Sequence, residues 1–224
     1  MSLAIQLNVL APDPDDYEDE GRRAALRAEL ASINRVLSRK GYPTFDEPTI
    51  AIAAPRRAIS SFPYSYLHRL RRAYTLHFRE LELQPPKGPP LWLRRLGFES
   101  NDALRKEEAL IEDLSGQMCV HLLTHSDCAG WYVPVELPEI VFDDELPGGG
   151  MLGSSYALRR ELLSVALPLE IDLQNEQPTD AATALLANHE HQRGHRLGIE
   201  RLVWFSLWEA VQISVQHGTA IAFR

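Results

Sequence analysis

Ile199-Glu-Arg-Leu-Val-Trp204-Phe-Ser-Leu-Trp208-Glu-Ala-Val-Gln-Ile-Ser-Val-Gln-His217-Gly218 is the stretch whose reading decides the fold class. Trp204, Leu207, Trp208, Val211 and Val215 fall on one helical stripe, with Leu202, Phe205 and Ile213 beside it. Ser206, Glu209, Gln212 and Gln216 interrupt, and a helix over 199–217 is expected to bury most of its circumference. Gly218 stops it, and 219–223 reads as a terminal strand. A helix apolar on most sides needs neighbours on most sides.

Those neighbours are legible upstream. Residues 4–10 alternate apolar and polar and read as a strand. Leu26, Leu30, Ile33 and Leu37 make a helical stripe over about 17–39, closed by Gly41. A short strand is expected at 49–53. Ser60-Ser61-Phe62-Pro63 reads as a cap before a helix that carries Leu67, Leu70, Tyr74 and Phe78. Further helices are expected from Ser100 or Asn101 to about 114, from Ser154 or Ser155 to about 166, and from Pro178 to about 193. Two apolar stretches, 118–124 and 131–135, flank Ser126-Asp127-Cys128-Ala129-Gly130 and predict a hairpin. The expectation is therefore an α+β fold, with several helices packed around a small, mainly antiparallel sheet. The whole of 1–224 reads as a single domain, with the Pro-rich run 85–90 as a surface loop.

Composition narrows the function classes. The longest nearly apolar run, 202–208, is too short to cross a bilayer, and no basic region precedes an apolar core at the start, so neither membrane nor export is expected. Two cysteines, Cys119 and Cys128, cannot make a disulfide framework and fit a reducing cytoplasm. The net charge of −8 is unevenly spread. Nine Lys/Arg lie within 56–95 against Glu80 and Glu82 only. Carboxylates cluster at 13–20 and at 136–145, the latter holding Glu136, Glu139, Asp143, Asp144 and Glu145 with no cation between them. The basic, aromatic-interleaved segment reads either as a surface for a phosphate-rich partner or as a segment docked on the chain's own acids. The overall negative charge disfavours nucleic acid as a partner.

Chemistry-bearing residues concentrate in two places. His121-Leu-Leu-Thr-His125-Ser126-Asp127-Cys128 has the composition of a zinc or nucleophile site. On a helix His121 and His125 would lie one turn apart and could share a metal. On the expected strand they would lie roughly 13 Å apart, too far for one ion. His189-Glu190-His191-Gln192-Arg193-Gly194-His195 contains His191 and His195 one turn apart, but Arg193 stands where a zincin motif needs its second histidine. His121, His125, Cys128, His191 and His195 are thus the candidate metal ligands, zinc being the metal their chemistry suits. Set beside this, Ser126 and Asp127 can satisfy backbone donors in a plain turn that Gly130 closes.

The stretch from His125 to Pro134 resembles a His-Ser-Asp-Cys-x-Gly-aromatic-Tyr-x-Pro motif of uncharacterised bacterial proteins, some of them similar to immunity proteins. The resemblance extends loosely over the C-terminal half and implies no established activity. His125, Ser126, Asp127, Cys128 and Gly130 are the positions that match. With no coherent catalytic set, the expectation leans away from an enzyme. It is a cytoplasmic bacterial binding protein, immunity-like or regulatory, without a cofactor and with a protein partner drawn by the acidic surface. The alternative is a metal-binding protein or hydrolase using the His125–Cys128 turn.

Overall fold

The structure, a computed structural model, describes residues 2–11, 19–54, 56–83, 102–118, 120–126 and 128–224. The expected loop at 85–90, Cys119 and Asp127 lie outside the described residues. In chain order the elements are β1 (Ser2–Leu7), α1 (Asp19–Arg39), β2 (Ser61–Pro63), α2 (Tyr64–Phe78), α3 (Asp102–Met118), α4 (His121–Thr124), β3 (Gly130–Val133) and β4 (Val141–Phe142). There follow β5 (Met151–Ser154), α5 (Ser155–Ala166), β6 (Leu173–Gln174), β7 (Gln177–Pro178), α6 (Asp180–Ala187), α7 (His189–Gly194), α8 (Gly198–His217) and β8 (Ile221–Phe223). This is the expected α+β fold. One sheet runs β2-β1-β8-β3-β5-β4, and β6 pairs separately with β7. Every ladder is antiparallel except β3 with β5.

The central strands β3, β5 and β8 are buried on both faces, which is why they carry no charged side chain. Along β3 successive side chains alternate: Trp131 and Val133 join Leu26, Leu30, Ile33 and Leu37 of α1, while Tyr132 joins the helices on the other side. That second core is built around α8, which packs on α2 and α5. Trp204 and Trp208 stack there with ring centroids 5.1 Å apart, and Trp204 Nε1 donates to the Leu162 carbonyl at 2.7 Å. Gly218, at φ +69°, ends α8 in the left-handed conformation and turns the chain into β8.

Several local expectations give way to tertiary pairing. The helix expected after Ser60–Pro63 starts at Tyr64, but residues 61–63 before it are strand β2, with Phe62 opposite Leu3, and Pro63 at the N-cap position gives no side-chain cap bond. Residues 49–53 form no strand. The helix expected over 178–193 breaks at Asn188, whose side chain accepts the His191 amide and starts α7 afresh. The hairpin over 118–135 is replaced by the end of α3, the single turn α4 and then β3. The partners of β3 are the distant strands β5 and β8. The helical turn exists because remote side chains complete its hydrogen bonds, as the site geometry shows.

Candidate functional site

Glu161 of α5 holds the start of α4. Its Oε1 accepts the His121 amide at 2.9 Å and its Oε2 the Leu122 amide at 2.6 Å. These are donors that a helix start leaves without partners. Arg71 of α2 holds the other end, donating from Nε to the Leu122 carbonyl at 2.8 Å and from Nη2 to the His125 carbonyl. The Tyr132 hydroxyl donates to the His121 carbonyl at 3.0 Å. One short turn is thus tied to three other elements, and His121 and His125 are carried into the interior on it.

Both histidines are buried, and burial, which disfavours a charged ring, pushes each down to about 4. His121 Nδ1 accepts the Ser154 amide at 3.0 Å, so its Nε2 carries the proton. His125 lies with Nδ1 2.9 Å from the Ser126 carbonyl and Nε2 3.0 Å from the Trp131 carbonyl. A neutral ring donates from only one nitrogen, so protonation would satisfy both contacts, which offsets part of the burial penalty. The ring stacks on Tyr132 at 4.1 Å and meets Phe223 edge-on at 5.6 Å. Burial raises Glu161 to about 7, although its two amides pull the other way.

The rest of the turn faces outward. Ser126 Oγ accepts the Cys128 and Ala129 amides at 3.4 Å and lies 3.4 Å from Cys128 Sγ. Cys128 is a free, exposed thiol. Gly130 opens β3 at φ +137°, pressed against the His125 ring. Trp131 and Tyr132 point to opposite faces of the sheet, with Tyr132 on His125.

The second histidine cluster stays apart from this turn. His195 Nε2 lies 3.1 Å from Glu170 Oε2, its Nδ1 accepts the Leu197 amide at 3.1 Å, and the His191 and His195 ring centroids are 6.0 Å apart. Among the described residues no three His, Cys, Asp or Glu side chains converge on one point. Sequence reasoning missed Glu161 and Arg71. Glu161 did leave a signal, a carboxylate standing among Leu158, Leu162 and Val165 on the buried stripe of α5.

The charge asymmetry resolves in favour of self-docking. In the described part of the basic segment, Arg69 pairs with Glu200, Arg79 with Asp113, and Arg56 Nη2 donates to the Ser206 carbonyl. Arg71 and Arg72 are only 6% and 8% exposed. Arg201, 3% exposed, serves the Leu169 and Glu170 carbonyls. Carboxylates are left outside. Among the described residues Asp46, Glu80, Glu112, Glu139, Asp144, Asp172, Asp180 and Glu190 are exposed and make no ion pair, against Arg35, Arg57 and Arg193.

A family model described as "Putative DNA-mimic protein" matches residues 1–223. The chain belongs to that family. The match takes in both chain halves, including the basic segment and both acidic clusters, and not the C-terminal half alone. No curated protein and no solved structure matches the chain. Among the described residues of this DNA-mimic family member, no helix is long and apolar enough to cross a membrane.

Proposed function

We propose that this DNA-mimic family member acts by protein–protein interaction, offering its carboxylates to the basic surface of a DNA-binding protein in place of phosphates. The observation that carries the reading is the disposal of charge: cations are drawn inward to carbonyls and buried acids, while unpaired carboxylates stay exposed. A surface of that kind steers a basic partner into contact and repels DNA itself. No cofactor enters such a role. In a cell the outcome is regulatory or immunity-like, a cytoplasmic protein held away from its DNA.

Immobilised chain is expected to retain DNA-binding proteins at about 0.15 M salt, where surface charges more than about 8 Å apart are largely screened. An added DNA duplex should then elute them. Retention that duplex does not compete for, or direct binding of duplex by the chain, would overturn the proposal.

A further inference from the structure

Strand β4 ends the six-stranded sheet, and among the described residues no strand lies beyond it. It pairs with β5 in the register Val141 opposite Leu152 and Phe142 opposite Met151. One step on, the Asp143 amide donates to the Gly150 carbonyl at 3.0 Å. Bonded and non-bonded pairs alternate in an antiparallel ladder. The Asp143/Gly150 pair is bonded, so the Phe142/Met151 pair is not. The N–H and C=O of Phe142 therefore point away from β5, onto the open edge.

The side chains there are arranged for contact. Phe142 is 48% exposed, whereas its neighbours Ile140 and Val141 are buried. A groove of about 440 Å³ follows the strand, lined by Lys40, Tyr42, Glu139, Ile140, Val141 and Phe142. Of the five carboxylates in this stretch, Glu136 is paired with Arg160, and Asp143 and Glu145 with Arg39, while Lys40 Nζ lies 3.9 Å from Asp143. Glu139 and Asp144 are exposed without an ion pair and stand on either side of Phe142.

An unprotected edge invites another strand, and the flanking charges decide which. A second copy set antiparallel about Phe142 would bring the exposed, unpaired carboxylates of each chain, Glu139 and Asp144, towards those of the other. Like charges directly opposite destabilise a strand pair. A strand carrying Lys or Arg at those places meets attraction instead. We infer that the open edge of β4 is the docking surface for a basic, extended segment of the partner. That segment adds as a further strand bonded to the Phe142 main chain, with its cations over Glu139 and Asp144. This rests on the proposed function and names the surface that serves it.

The probe is a synthetic peptide of four valines with two arginines at each end, titrated into isotope-labelled chain and followed by NMR. Peptide addition should shift the amide signals of 139–144 and slow solvent exchange at the Phe142 amide. The same peptide N-methylated at every backbone nitrogen, which blocks both of its edges, should bind at least tenfold more weakly. Phe142→Pro removes the outward-pointing donor and leaves the β4–β5 bonds in place, so it should weaken binding at least tenfold more than Phe142→Ala, which removes the ring and keeps the donor. If Phe142→Pro does not fold, the N-methylated peptide still tests the unaltered chain. Equal binding of the two peptides, or shifts confined to other parts of the molecule, would overturn the inference. Duplex-competed retention of DNA-binding proteins that survives Glu139→Lys/Asp144→Lys would also overturn it and leave the proposed function standing. Peptide addition at β4 without such retention by the parent chain would uphold the edge and overturn the function.

Discussion

Gly130→Ala puts the packing of the buried turn to a quantitative test. An added Cβ at Gly130 would lie 2.6 Å from His125 Cε1, 3.1 Å from Nε2 and 3.4 Å from the Gly148 carbonyl oxygen. The imidazole has nowhere to retreat, because Tyr132 is stacked on it, Phe223 meets its edge and two carbonyls hold its nitrogens. Gly148 is equally close on the other side: a Cβ there would lie 2.7 Å from the Gly130 nitrogen. Two costs combine. Holding alanine at φ +137° costs about 1–3 kcal/mol in backbone strain. Forcing a methyl into a filled site costs about 1–3 kcal/mol more. The smaller entropy of unfolded alanine returns about 0.4–1 kcal/mol. The expected loss is therefore about 1–6 kcal/mol, and at about 2–4 °C per kcal/mol for a chain of this size the melting temperature should fall by roughly 2–24 °C. Urea unfolding of the parent, Gly130→Ala, His125→Ala and the double variant separates the two costs. Removing the imidazole relieves the contact and leaves the φ strain, so Gly130→Ala should cost about 1–3 kcal/mol less in the His125→Ala background. A Gly130→Ala midpoint within about 0.5 kcal/mol of the parent, or an equal cost in both backgrounds, would refute the reasoning.

Acid sensitivity follows from the same turn. His121 and His125, lowered to about 4 from 6.5, favour the fold above pH 6.5 and oppose it as pH falls towards 4. Glu161, raised to about 7 from 4.5, acts in the opposite sense, its contribution being present below 4.5 and lost as pH rises through 7. Near pH 5.5 the unfolded chain binds about one net proton more at these three groups, so they lower stability by about 1.2 kcal/mol per pH unit on acidification. Glu161→Gln removes the opposing uptake and should roughly double that slope in urea melts between pH 5 and 6.5. An unchanged slope would show that Glu161 does not take up its proton in this range. Glu200 is 0% exposed and one of its oxygens has no hydrogen-bond partner, so Arg69→Met, by stranding that carboxylate, should cost about 3–5 kcal/mol. Arg69→Met/Glu200→Met should recover most of it, and simple additivity of the two single changes would contradict a coupled pair.

The stripes on α1 and α8 were readable in the sequence because helical burial repeats within a few residues: Leu26, Leu30, Ile33, Leu37, Trp204 and Trp208 all lie in the core. The Ser154 cap of α5 and the Gly218 stop of α8 depend on near neighbours and were equally legible. The turn at 121–130 was misread for the complementary reason. Its donors and acceptors are completed by Arg71 and Glu161, some fifty residues before it and forty after, and no local pattern distinguishes a strand from a turn completed from outside.

Charge divides in the same way. The sequence by itself determined that the chain carries an excess of acid and that its cations crowd into 56–95, because counting charges needs no coordinates. Only the tertiary structure decided that Arg69 and Arg71 of that segment face inward, onto Glu200 and onto the carbonyls of Leu122 and His125. Only the structure also decided that Glu139 and Asp144 flank an open strand edge. The physical reason is that burial and strand order join residues far apart in the chain, and the electrostatics of a surface depend on which charges the fold has already paired.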